Sequence, residues 1–224
     1  MPIALIIGAS RGLGLEMVRQ YRADGWEVIA TARDAGGAAK ITALGASVIR
    51  ADATAPDAAG RIAQEIEARS LDVAVFNAGV MGPRSQGLEP PTNEQFEEVM
   101  RVNVQAPMRI LPALLPAVAR AKGRIGVLSS RMGSMGVRSG SNSWLYRASK
   151  AAVNSVLKDV SLAAGTQGVT CVAFHPGWVK TDMGGAGADI DAVTSVSGMR
   201  KVLAGLTAAQ NGAFLNYDGT TIPW

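Results

Sequence analysis

Tyr146 and Lys150 stand four residues apart in Tyr146-Arg147-Ala148-Ser149-Lys150. On a helix that separation puts both side chains on one face. A phenol has an ordinary pKa near 10, and an adjacent ammonium would stabilise its phenolate, lowering that value by about one to three units. Such a phenol can give or take a proton near neutral pH. Neither Tyr21 nor Tyr217 has a lysine at this distance. The plainer alternative is an exposed tyrosine at a helix start beside a solvated lysine. Upstream, Arg124–Leu128 runs into Ser129-Ser130-Arg131-Met132-Gly133. A hydroxyl at that strand end could hydrogen-bond a carbonyl oxygen beside Tyr146, although two serines and a glycine also make an ordinary turn.

The first apolar run closes in Gly8-Ala9-Ser10-Arg11-Gly12-Leu13-Gly14, where a helical stretch begins. Glycines there permit a positive φ and a close backbone approach to a pyrophosphate. The helix start presents free N–H groups to the phosphates. The same residues also spell G-x-S-x-G, a hydrolase nucleophile elbow, with Ser10 as nucleophile and His175 as base. An elbow needs earlier strands to supply its oxyanion loop, and only seven residues precede Gly8. The dinucleotide reading is the better one.

These groups need a scaffold, and the chain supplies alternating strands and helices. Pro2–Ile7, Trp26–Thr31, Ala46–Ala51, Leu71–Phe76, Arg124–Leu128, Val169–Phe174 and Ala213–Asn216 read as strands. Several are apolar on both phases, as strands covered on two faces must be. Helices are predicted near 12–23, 56–69, 93–103, 105–121, 144–164 and 190–204, with a weaker one at 34–44 that contains Gly36 and Gly37. Such alternation implies right-handed crossovers and one parallel sheet. No linker or repeat interrupts it, so residues 1–224 read as one domain.

Composition narrows the function. Of 224 residues, 48% are hydrophobic and 18% charged, which suits a globular chain and excludes disorder. One cysteine and one histidine exclude an internal disulfide, clustered Cys/His zinc sites and HExxH proteases. No metal is expected. No apolar run reaches eighteen residues and no leader pattern opens the chain, so a cytoplasmic protein without membrane contact is expected. The net charge is +4, but the arginines are scattered from Arg11 to Arg200. That pattern reads as a solvated surface rather than a nucleic-acid face.

Taken together the chain resembles the short-chain dehydrogenase/reductase family over essentially its whole length. GASRGLG (8–14), Asp52, NAG (77–79), Asn103 in VNV, SSRMG (129–133), YRASK (146–150) and PGWVKTDM (176–183) follow in the family's order. The wording of the later pieces looks most like the C-factor/sniffer-like carbonyl-reductase branch. The resemblance implies a Rossmann-type doubly wound sheet in the order 3-2-1-4-5-6-7 and reversible hydride transfer between NADP(H) and a carbonyl or alcohol. It implies Tyr146 as proton donor, Lys150 lowering its pKa and holding the ribose, Ser130 polarising the carbonyl, and Asn103 holding a water. Ser130 is preferred to Ser129 and Ser134 as the second serine of its stretch. For the dinucleotide it implies Gly8, Ser10, Arg11, Gly12, Leu13 and Gly14 at the turn, then Arg33, Asp52 and Ala53. Asn77, Ala78 and Gly79 would follow, with Tyr146 and Lys150, and then Pro176, Gly177, Val179 and Thr181. The sequence departs from the family pattern at Ile7 and Phe76, and in the 16-residue gap from Ser130 to Tyr146. A second hypothesis keeps the fold but makes it a dinucleotide-binding signalling protein with little turnover.

Remaining residues refine the expectation. Arg33 follows neutral Thr31 and Ala32 at a strand end, and with Arg11 and Ser10 it would take a 2′-phosphate, favouring NADP(H) over NAD(H). Asp34 would face the next helix as its cap. Cys171 reads as a buried inert thiol and His175 as structural. The loop after the sixth strand, from Pro176 to about Ala188, is too short for a helical lid, its glycines make it flexible, and Asp189 would cap the next helix. Met81, Met132, Trp144, Leu145, Trp178 and Met183 would form large apolar walls with no Arg or Lys aimed at a substrate anion. Hydrophobic aldehydes and ketones are therefore expected over small keto acids. Apolar faces on 105–121 and 144–164 suggest a homodimer or homotetramer.

Overall fold

In a computed structural model, which describes residues 1–224, seven strands form one parallel sheet in the order β3-β2-β1-β4-β5-β6-β7. The strands are β1 (Ile3–Ile7), β2 (Glu27–Ala32), β3 (Ser47–Arg50), β4 (Val73–Phe76), β5 (Arg124–Leu128), β6 (Thr170–His175) and β7 (Ala213–Asn216). Between them run α1 (Gly12–Ala23), α2 (Ala35–Ala43), α3 (Ala58–Glu65), α4 (Asn93–Met100), α5 (Ala106–Arg120), α6 (Trp144–Gly165) and α7 (Ala192–Gly205). No helix is long and apolar enough to cross a membrane.

Alternation along β1 shows how the two helical layers are covered. Leu5 and Ile7 pack with Ile110, Leu114 and Leu157 of α5 and α6, whereas Ala4 and Ile6 pack with Met17, Tyr21 and Met199 of α1 and α7. The register then aligns the strand ends. Ile7 pairs with Phe76, Phe76 with Val127, Val127 with Ala173, and His175 with Asn216. Everything that follows β1, β4, β5, β6 and β7 thus emerges on one edge, where open α/β sheets bind ligands.

Two expectations change in detail, and two gain detail. The 34–44 stretch does form a helix, because the Asp34 side chain accepts the Gly37 N–H at 2.7 Å and offsets two glycines. The segments 93–103 and 105–121 are one rod: α4 passes through a π turn, Arg101–Gln105, directly into α5. Helix α7 is capped by Asp191, which accepts the Thr194 N–H at 2.7 Å, and not by Asp189. A parallel bridge between Val179 and Ile190 keeps the chain extended past Asp189, so the helix starts later. Finally, most of the apolar faces of α5 and α6 are spent on the sheet: Ile110, Leu111, Leu114, Val118, Val153, Leu157 and Val160 are buried, whereas Leu162 is exposed.

One close approach fixes how β5 meets α6. The chain after β5 makes a single 3-10 turn, Arg131–Gly133, and a Cβ on Gly133 would lie 2.7 Å from the Lys150 carbonyl carbon. Gly133→Ala must push the turn off the helix, and it is expected to cost about 1–3 kcal/mol and several degrees of melting temperature. Gly205, at the last position of α7, has nothing within 4 Å of such a Cβ. Gly205→Ala is therefore expected to be neutral or slightly stabilising. Equal melting temperatures for the two variants would contradict this packing.

Candidate active site

Tyr146 and Lys150 open α6, and both are buried, at 6% and 5% exposure, so the exposed-pair alternative fails. The Lys150 ammonium donates to the Leu128 carbonyl at 2.8 Å, at the end of β5, and lies 5.6 Å from the Tyr146 ring centroid. Ser129, Ser130 and Ser134 are all buried, and their partners separate them. Ser134 donates to the Pro223 carbonyl and Ser129 to that of Lys150 at 3.3 Å. Ser130 caps the 3-10 turn, accepting the Met132 N–H at 3.1 Å, and faces the Tyr146 hydroxyl, favouring its ionised form.

Asn103 sits in the π turn, where the ladder is widened and a side chain can be redirected. Its Oδ1 accepts the Val80 N–H at 2.9 Å, while its Nδ2 donates to the Val80 carbonyl and to Ser149 Oγ, each at 2.9 Å. Ser149 passes the connection on, donating to the Tyr146 carbonyl at 2.8 Å. The sequence reading overlooked Ser149. Its place inside YRASK, three residues after Tyr146, was the available signal, since mid-helix serines often bond back to the preceding turn.

The electrostatics overturn one expectation. Burial pushes the Tyr146 phenol up to about 12 and the Lys150 ammonium down to about 8. The Tyr146 pKa is raised rather than lowered, because burial removes the phenol from water and the Ser130 hydrogen bond offsets this only in part. At neutral pH Tyr146 therefore holds its proton. Burial likewise pushes Cys171 up to about 12, which fits an inert thiol.

Across the same edge the glycine turn is braced from both sides. The Gly8 N–H donates to Thr31 Oγ1 at 2.8 Å, and Asn77 Nδ2 donates to the Gly8 carbonyl at 2.5 Å. Gly8 has φ +85, and a Cβ there would strike Ala78 at 2.8 Å. On Gly14 a Cβ would run into the Gly8 carbonyl. Helix α1 begins with no side-chain cap and no acidic residue in its first turn, which leaves its N–H groups to an anion. These features fit a dinucleotide pyrophosphate. Beside Lys150, a Cβ on Gly79 would lie 3.4 Å from both Lys150 Nζ and Asn103 Oδ1, so the glycine backbone, Lys150 and Asn103 meet closely here.

Other nucleotide candidates have partners of their own. Arg11 pairs with Asp182 at 3.0 Å, both well exposed, so its guanidinium is turned to the loop after β6. Ser10 packs against Gly37 of α2. Arg33 is exposed at the end of β2, with Asp52 within electrostatic reach. Asp52 closes a turn by accepting from Thr54 N–H and Oγ1 at 2.9 and 2.8 Å, with Ala53 between them. Leu13 and Gly12 open α1, and Gly12 faces the Thr181 methyl group. Pro176 and Gly177 (φ +85) leave β6, and Val179 is buried in its bridge to Ile190.

The loop after β6 is locked rather than loose. Trp178 Nε1 donates to the Gly184 carbonyl at 2.9 Å, Gly184 N–H to Thr181 Oγ1 at 3.2 Å, and Arg84 to the Met183 carbonyl at 2.6 Å. The expected apolar walls divide. Trp144 and Leu145 line one cleft of about 360 Å³ with Arg84 and Glu89. Trp178 lines another of about 390 Å³, between the ends of β6 and β7, together with Arg131, His175 and Asp189. Arg131 is the one Arg or Lys that lines this second cleft. His175 stays neutral at physiological pH, pushed down to about 4 by burial and then by Arg131.

Comparison with known proteins agrees with this geometry. The C-signal protein of Myxococcus xanthus is 37% identical over 155 residues, covering 69% of this chain and 93% of that protein. Carbonyl reductase Sniffer of D. melanogaster superposes with a TM-score of 0.92 at 30% identity over the whole of both chains. An NADPH-bound carbonyl reductase from chicken fatty liver gives 0.88 at 31%, again over both whole chains. Residues 2–189 match the short chain dehydrogenase family, and the seven-stranded sheet, the braced glycine turn and the buried Tyr146–Lys150 pair accompany that match: the chain belongs to the short-chain dehydrogenases.

Proposed function

We propose that the protein is an NADP(H)-dependent oxidoreductase that reduces aldehydes or ketones and oxidises the matching alcohols, with Tyr146 as the acid. The observation that carries this reading is a buried phenol, protonated at neutral pH, facing Ser130 on the sheet edge that holds the glycine turn. When bound, the nicotinamide supplies the hydride that adds to the carbonyl carbon. Tyr146 Oη gives its proton to the carbonyl oxygen as the alcohol forms. Ser130 Oγ, beside it, polarises the same oxygen. The Lys150 ammonium stabilises the phenolate that remains and is placed to hold the ribose. Asn103, through Ser149, fixes the first turn of α6, and with Lys150 it would hold the water that returns the proton. Arg33, exposed and without an ion pair at the end of β2, is the group for the 2′-phosphate, with the NADPH-bound relative in support.

The identity to C-signal favours a second reading, a dinucleotide-binding signalling protein with little turnover. NADPH oxidation with a panel of aldehydes and ketones separates the two.

Tyr146→Phe is expected to lower kcat at least about 100-fold and to leave NADPH fluorescence titration unchanged. More than about a tenth of wild-type kcat would remove Tyr146 from the role. The pH dependence follows from the two shifts. Tyr146 keeps its proton below about 12, whereas the depressed Lys150 loses its own above about 8. Reduction measured as kcat/KM should therefore be level through neutral pH and fall above about pH 8. A limb that rises there would refute the assignment. Arg33→Ala should weaken NADPH about 10- to 100-fold and leave NADH unchanged, as loss of one charge-assisted phosphate contact requires. Equal loss for both cofactors places the phosphate elsewhere.

A further inference from the structure

The 390 Å³ cleft lies at the ends of β6 and β7, next to the end of β5 from which Ser130 emerges. Arg131 directly follows Ser130, His175 precedes the Pro176-Gly177 turn, and both line the cleft. Its far wall comes from the loop ending at Asp189 and Ile190, and its floor from the end of β7 and the segment after it. The volume lies within the range of small-molecule sites.

Two full charges face this space, one of each sign. Arg131 and Asp189 are both exposed and neither is in an ion pair, with each other or with any residue; the chain's ion pairs lie elsewhere. Even the well-exposed Arg11 and Asp182 close to 3.0 Å, so the separation of Arg131 from Asp189 reflects the walls that carry them. Arg131 is held by the 3-10 turn. Asp189 is held by its N–H, which donates to the Trp178 carbonyl at 3.1 Å, and by the Ile190 bridge to Val179. The other polar groups are spent or neutral. Thr220 Oγ1 donates to Asp218 at 2.7 Å, Asn216 also bonds Asp218, and His175 is uncharged with its Nδ1 turned into the wall. Between the charges the lining is apolar, with Val137, Trp178, Ile190 and Ile222. Charges beside apolar walls act more strongly than charges in open water.

We propose that this cleft is a subsite for a zwitterionic arm of the substrate, an α-amino-acid or short-peptide group attached to the reacting carbonyl or alcohol. Arg131 takes its carboxylate and Asp189 its ammonium. The proposal rests on the reductase reading, because the arm is placed by a carbonyl seated at Ser130 and Tyr146. A guanidinium matches a carboxylate bidentately. Because both contacts form on binding and persist through reaction, they act on KM more than on kcat.

Four aldehydes of one shape test it: 4-formylphenylalanine, its N-acetyl derivative (carboxylate only), its amide (ammonium only) and its N-acetyl amide (neutral), with benzaldehyde as reference. Wild-type kcat/KM is expected to fall about 5- to 10-fold for each charge removed, chiefly through KM. Arg131→Gln should bring the N-acetyl acid down to the neutral compound and leave the amide and benzaldehyde unchanged. Asp189→Asn should do the reverse. Retained turnover of benzaldehyde shows that each variant is folded and active. Equal kcat/KM for the zwitterion and the neutral compound in the wild type, or equal losses on all four in Arg131→Gln, overturns the subsite alone. No turnover of any aldehyde, benzaldehyde included, overturns the reductase reading and the subsite with it.

Discussion

A buried ammonium whose partner is a peptide carbonyl sets the terms for the rest of the site. Charges are taken out of water only where the surroundings hold them, and Lys150, at 5% exposure, is held by the Leu128 carbonyl at 2.8 Å. That bond requires the first turn of α6 to lie directly against the end of β5. Gly133 allows the approach, and Ser129 pins the Lys150 carbonyl from the same strand end. If the approach were looser, the long lysine side chain would escape to solvent, and Tyr146 would lose both its cation and its dry surroundings. The high affinity of Tyr146 for its proton and the low affinity of Lys150 for its own follow from the burial that this approach imposes.

Sheet topology brings the other half of the site to the same place. The chain leaves β1 toward β2 on one side and returns at β4 on the other, so the edge between β1 and β4 is the switch point where a crevice opens. The glycine turn after β1 and Asn77 after β4 meet across it and bond directly. Thr31 braces the turn from β2, and Asn103 reaches it from the helical layer through the loop after β4. Continuing the register to β6 and β7 puts His175 beside Asn216, and both line a second cleft at those strand ends. Cofactor cradle, acid and outer cleft are successive stations along one edge.

Local pattern made most of this legible. Short apolar runs located every strand to within two residues at its ends, and the spacing of Tyr146 and Lys150 marked the pair before any fold was known. What could not be read was depth and long-range pairing. Spacing places a phenol and an ammonium on one face but does not say how much protein covers them, and coverage decided the direction of the Tyr146 shift. Asp189 and Asp191 are equally good caps by type. A bridge to Val179, eleven residues before Ile190, chooses between them. Arg11 sits in a phosphate-binding motif, yet its side chain finds Asp182, 171 positions away. Ser149 was hidden for the opposite reason, since its partner Asn103 lies in a π turn that no residue pattern announces.

The loop after β6 shows how a short chain can be selective without a lid. Gly184, Gly185 and Gly187 would be costly to order if closure had to happen on binding. Here the ordering is done in the fold, by Trp178 and Thr181 within the loop and by Arg84 and Arg11 from its neighbours. The exposed Arg11–Asp182 pair adds only about 0.2–1 kcal/mol, so the internal bonds and the Val179–Ile190 bridge carry most of the rigidity. A wall fixed in advance loses little entropy when a ligand arrives. It also places its charges in advance: Asp189 and Arg131 stand on walls that the fold has already fixed. Thr181 lies beside Gly12 at the start of α1, which brings this wall up to the glycine turn. The loop after β6 and the start of α1 thus stand side by side on the sheet edge.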